Sequence, residues 1–124
     1  MIEKTIKGIK YLLDEENLTA EILLNKGYKG DFIIPEIVVF KKVAYRVTSI
    51  DACAFLLCKS LTSMVIPDSV TSIGQSAFYG CKSLTSITFR GTMEQWKQIA
   101  FAKDNWNEGV PAKVVHCTDG EVEI

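Results

Sequence analysis

A mostly β protein, a coil of short stacked strands with one short helix and a cap at each end, is the fold class that the sequence predicts. Three observations predict it. First, Val47–Ser69 and Val70–Thr92 align without a gap at an offset of 23 residues. Val47 matches Val70, Ile50 matches Ile73, Ala54-Phe55 matches Ala77-Phe78, Cys58 matches Cys81, and Leu61-Thr-Ser63 matches Leu84-Thr-Ser86. Such a period marks supersecondary units that stack because none buries its own apolar face. Second, Met64 and Ile66, like Ile87 and Phe89, alternate as in a strand with one buried face. Third, Thr92 and Gln95 have the spacing of a capping box and stand at the end of the repetition.

The 124 residues fit one domain, divided into a β-rich cap (1–46), two repeats (47–92) and a helix-plus-hairpin cap (93–124). Residues 1–32 mix helical and alternating periodicity. The Gly8 and Gly27 breaks favour a β-hairpin, with strands near Thr5–Leu13 and Thr19–Leu24. Phe32–Ile34 reads as a strand ended by Pro35. Ile37–Phe40 and Val43–Val47 read as strands joined at Lys41-Lys42, a solvated turn. Ile34-Pro35 resembles Ile66-Pro67 but lies 32 residues earlier, so about nine residues are inserted into that turn of the coil.

Within each repeat Val, Ile, Ala, Phe, Cys, Leu and Ile point inward and stack on their counterparts. After Thr92 a helix is expected to about Ala102, with Trp96, Ile99 and Ala100 as its apolar stripe. Lys103–Pro111 reads as loop, Ala112–Cys117 as a strand, and Asp119-Gly120 as the turn into Glu121–Ile124.

Composition removes several function classes. Net charge is −1, with no dense basic patch, so no nucleic-acid partner is expected. The repeats are nearly neutral, with three Lys/Arg and two Asp/Glu, whereas 93–124 carries three and six. The longest apolar run, Ala52–Cys58, is far short of the ~20 residues that cross a bilayer, so no membrane insertion is expected. Met1-Ile-Glu-Lys4 has mixed charge and no apolar stretch behind it, so no leader is expected in this chain. A cytoplasmic protein and a secreted one that has lost its leader both fit.

Chemistry-bearing residues are sparse. Cys53, Cys58, Cys81 and Cys117 lack zinc-knuckle spacing, and His116 is the only histidine, so no metal or cofactor is expected. Cys58 and Cys81 share one repeat position and read as small buried side chains; a bridge between them is the alternative. His116, Cys117 and Asp119 suggest a thiol nucleophile, but neighbours on a strand face opposite ways. With no convergent acid, base and nucleophile, the chain is expected not to be an enzyme. Asn17-Leu-Thr19 matches a glycosylation sequon by chance. Trp96 reads as core, and Trp106, on a loop between Asn105 and Asn107, as a candidate contact residue. The outward strand positions Ser63, Val65, Ser86, Thr88 and Arg90 form a candidate protein-binding strip, with Thr48 and Thr71 on the other extended segment. Two repeats barely supply the ~800 Å² per partner of a standard interface, which favours weak or multivalent contact.

The run Ile66-Pro-Asp-Ser-Val-Thr-Ser-Ile-Gly-Gln-Ser-Ala-Phe-Tyr-Gly-Cys81-Lys-Ser-Leu84 closely resembles the BspA-type leucine-rich repeat family. Gly8-Ile-Lys-Tyr11 and Tyr28-Lys-Gly-Asp31 resemble the family's entry segment. Phe89-Arg-Gly-Thr92, Trp96 and Val115-His-Cys-Thr-Asp-Gly120 resemble its ending. Two departures stand out: Asp51 replaces the equivalent of Gly74, and Leu57 that of Gly80. The resemblance implies a leucine-rich-repeat solenoid, a right-handed coil of short strands capped at both ends. It also implies an extracellular or cell-surface protein, often adhesive, that binds a protein of a host or neighbouring cell. A structural unit that self-associates weakly, without a dedicated ligand, is the alternative.

Overall fold

The structure, a computed structural model, describes all residues 1–124. The 23-residue offset of the sequence is the register of its strands. The strand before each repeat's loop is β6 (Val43–Ile50) or β8 (Ser72–Ile73), and the strand after it is β7 (Leu61–Ile66) or β9 (Ser86–Phe89). Ser49 and Ile50 pair in parallel with Ser72 and Ile73, and Ser63 to Ile66 with Ser86 to Phe89. The chain therefore alternates between two sheets, laying each repeat on the one before.

The flanking segments continue both sheets. On the N-terminal side, β3 (Thr19–Ile22) pairs with β6 and β4 (Gly30–Ile33) with β7. The Ile34 amide donates to the Val65 carbonyl at 3.0 Å, which sets Ile34-Pro35 level with Ile66-Pro67 as the sequence expects. The inserted residues form the hairpin of β5 (Ile37–Phe40) with β6. Its turn residues Lys41 and Lys42 both have left-handed φ, 51° and 65°, the geometry that matches strand twist in two-residue hairpins.

The N-terminal segment has three strands rather than the expected two. β1 (Ile2–Ile6) and β2 (Ile9–Asp14) form a tight hairpin, and β2 then pairs with β3. Lys7 (φ 50°) and Gly8 (φ 83°) make the extra turn. Half of that turn is a lysine, which carries no turn signal of its own.

The predicted helix is shorter than expected. α1 spans Met93–Lys97 only, opened by the Thr92–Gln95 capping box with both reciprocal bonds formed. It stops because the next amides belong to another rung: Ala100 donates to Thr71 O at 2.9 Å and Ala102 to Ile73 O at 3.0 Å. Ala100-Phe101 is thus β10, beside β8, and Ala100 faces solvent rather than the apolar stripe. A 3-10 turn at Asp104–Asn107 follows. Then β11 (Val114–Cys117) pairs with β9, and β12 (Gly120–Glu123) closes that sheet as an antiparallel edge.

Between the sheets lies one core. All sixteen inward positions of the two repeats, from Val47 to Phe89, are at most 2% exposed. Phe55 and Phe78 stack almost parallel, 5.0 Å apart. Tyr28 continues the column below Phe55 at 4.8 Å, and Trp106 above Phe78 at 6.0 Å.

Candidate interaction surface

Strand alternation sends every second side chain of the β4-β7-β9-β11 sheet outward. Pairing then aligns these residues into columns. One runs Ile33, Val65, Thr88, His116 and Glu121; the other runs Asp31, Ser63 and Ser86. Ser63, Val65, Ser86 and Thr88 are half-buried in this sheet, and Arg90 beyond β9 is exposed. The structure therefore brings these five predicted residues onto one face. Thr48 and Thr71 lie apart on the other sheet, where the Thr71 amide and hydroxyl both donate to Thr48 O (2.8 and 3.4 Å).

The sixth, Trp106, is a correction. Trp106 is only 7% exposed, its ring stacked on Phe101 at 4.9 Å and set edge-on to Phe78 and Trp96. Asn105 anchors the turn, accepting from the Ser76 amide (3.2 Å) and donating to its hydroxyl (3.1 Å). The indole is thereby turned inward as the top of the aromatic column, leaving it little surface for a partner.

Sequence reading missed Ile33, which is 59% exposed at the edge of this sheet. The signal was present: in Phe32-Ile-Ile34, alternation forces one isoleucine outward when Ile34 is buried. Two polar features complete the strip. Asp31 Oδ1 accepts from Ser63 Oγ (2.8 Å) and Thr62 Oγ1 (3.3 Å), and His116 Nδ1 meets Glu121 Oε2 at 2.8 Å.

The four cysteines are free thiols. Cys81 Sγ donates to Phe55 O at 3.0 Å, so this repeat position ties one loop to the one below. Burial pushes the Cys81 thiol up to about 12 and also raises Cys58. Cys117 is raised too, by burial and then by the charge of Asp119, the opposite of what a thiolate nucleophile requires. At pH 8 a thiol reagent should therefore modify partly exposed Cys53 first, and Cys58 and Cys81 only on unfolding. The Cys81 shift also has a pH consequence. Above pH 9, the ordinary thiol value, the unfolded chain loses this proton while the folded chain keeps it. Stability should fall as pH rises from 9 towards 12. The urea midpoint should drop between those limits, and drop less in Cys81→Ala; equal drops would remove Cys81 as the cause.

Parallel short-strand repeats of 23 residues, with apolar ladders inside and polar columns outside, define a repeat protein of the leucine-rich class. The family model for the "BspA type Leucine rich repeat region (6 copies)" matches residues 38–111, and the chain belongs to that family. Among solved structures it is similar to a leucine rich cell surface protein from Faecalibacterium prausnitzii A2-165, at 30% identity and TM-score 0.63. That match covers 94% of this chain, which spans 27% of that protein. A leucine-rich repeat protein from Bacteroides ovatus ATCC 8483 matches at 24% identity and TM-score 0.68, over 90% of this chain and 28% of its own. One from Bacteroides capillosus ATCC 29799 matches at 20% identity and TM-score 0.66, over 93% of this chain and 97% of its own. The two Bacteroides matches show the shared fold alone. The search of curated proteins finds no match. No helix is long and apolar enough to cross a membrane.

Proposed function

We propose that the chain is a non-enzymatic protein-interaction module, built as a short right-handed solenoid and working at a cell surface or in the extracellular space. It binds a protein partner through the outward columns of the β4-β7-β9-β11 sheet, as a monomer or with weak self-association. One observation carries the reading: Ile33, Val65, Thr88 and Arg90 share the outer face of a sheet whose inner face packs on the core. The F. prausnitzii relative, described as a cell surface protein, supports the compartment. Because the strip runs over four parallel strands rather than two, it offers more of the ~800 Å² that a partner requires.

Thr88→Glu combined with Arg90→Glu places two carboxylates on this face and disturbs no core residue. Immobilised wild type and double variant should melt alike. Proteins retained from extracts of neighbouring or host cells should fall roughly tenfold on the variant, about 1.4 kcal/mol of binding. Equal retention, quantified by mass spectrometry, would count against this face.

A further inference from the structure

The loops joining the two sheets stack on one side of the molecule, and the first three set lysines side by side there; the fourth adds Glu108, whose carbonyl accepts from the Gly80 amide at 2.8 Å. Lys26 and Lys29 lie in the loop before β4, Lys59 in the loop before β7, and Lys82 in the loop before β9. Lys59 and Lys82 hold the same repeat position, so like charges sit on consecutive loops. All four are exposed, and none takes part in the molecule's three ion pairs. Segments 26–29, 57–60 and 79–83 contain no acidic residue. Lys26, Lys29 and Lys59 line one notch of about 420 Å³, together with Gly27, Tyr28, Leu57 and Ser60.

Leu57 stands among these lysines in an unusual conformation. It is 51% exposed, yet its backbone is left-handed at φ 55°. The equivalent position in the next repeat is Gly80, at φ 73°. Glycine takes that conformation freely, whereas a leucine there meets a steric cost. The Leu57 side chain lies over Gly80, where an added Cβ would stand 2.4 Å from Leu57 Cδ2. A strained apolar side chain that contributes little to the core and shares its notch with Lys26, Lys29 and Lys59 is placed for contact.

We infer that this lysine ridge, with Leu57 at its centre, binds an acidic peptide segment that also carries apolar side chains. The carboxylates complement Lys26, Lys29, Lys59 and Lys82, and an apolar side chain covers Leu57 beside Tyr28. Leu57 favours a peptide over a sulfated glycan, which supplies charge but no apolar group. The ridge lies on the loops, away from the sheet face, and does not depend on that reading.

The test is fluorescence anisotropy with a labelled twelve-residue peptide repeating Glu-Glu-Leu, and with heparin as a second probe. The peptide should bind saturably and weaken as salt rises. Lys59→Glu with Lys82→Glu should weaken it at least about tenfold. Leu57→Gly should keep the fold and raise its melting temperature, yet weaken the peptide several-fold and leave heparin unaffected. The Thr88→Glu/Arg90→Glu variant should bind the peptide as wild type does. Failure of the peptide to bind, indifference to the lysine reversals, or equal loss of heparin and peptide on Leu57→Gly would each overturn the proposal.

Discussion

Phe78→Ala is expected to destabilise the protein by ~3–5 kcal/mol, the range for removing a buried phenylalanine. Phe78 is fully buried and has an aromatic neighbour on each side: Phe55 stacked below at 5.0 Å and Trp106 edge-on above at 6.0 Å. Truncation therefore removes contacts to two other rungs at once. The cavity cannot readily collapse, because backbone bonds hold the loops apart. The Phe78 amide donates to Trp106 O at 2.8 Å, and the Phe55 amide to Ala77 O at 2.7 Å. For a chain of this size the loss corresponds to a fall of about 10–20 °C in melting temperature. Tyr79→Ala next door removes a side chain that is 38% exposed and should cost much less. Equal melting temperatures for the two variants would refute the aromatic column as a principal source of stability.

Gly74→Ala carries the second largest expected effect, and its origin is close approach. A Cβ at Gly74 would stand 2.3 Å from Ala52 N, 2.6 Å from Ala52 Cα and 2.8 Å from Asp51 C. All three atoms are backbone, so no rotamer change relieves the clash. The loops of consecutive repeats must separate, straining the bonds from Gly74 N to Ile50 O (2.9 Å) and Cys53 N to Gln75 O (3.0 Å). A cost at or above the usual ~1–3 kcal/mol of overpacking follows. Gly27→Ala is the control: there a Cβ would meet only Asn25 Oδ1, a side-chain atom, at 3.4 Å. Urea unfolding should place Gly74→Ala well below Gly27→Ala; coincident midpoints would show that the repeat spacing tolerates a methyl group.

The proposed function rests on surfaces that these substitutions leave alone. Core positions decide that the rungs stack. The outward columns and the lysine ridge decide what the stack meets. Separating the two by mutation is straightforward, because Thr88, Arg90, Lys59 and Lys82 lie outside the buried core.

Repetition makes the core legible in the sequence. Equal residues at an offset of 23 must occupy equal environments in a stack, so Val47, Ile50, Phe55, Cys58 and their partners could be placed inward one by one. Capping was legible too, since Thr92 and Gln95 interact within one turn of chain. Local sequence could not show where α1 ends, because carbonyls of the preceding rung capture Ala100 and Ala102. Nor could it bury Trp106, whose loop is pinned by Ser76 from the rung below. The extra β1–β2 turn was hidden in Lys7, and the exposure of Ile33 depended on knowing where Ile34 packs.

By itself, then, the sequence determined the repeating unit, its inward residues and the family, because self-stacking ties each apolar position to a copy of itself. Only the tertiary structure decided how far the stack extends, which aromatic residues close it, and which residues of the flanking strands, such as Ile33 and His116, join the outward face of the repeats. Those outcomes depend on hydrogen bonds and contacts between residues distant along the chain, which no local pattern encodes. Leu57 and Gly74 show the division clearly. As letters they are small departures between two repeats; in the fold one is a strained exposed side chain among lysines and the other a contact with no room for a methyl group.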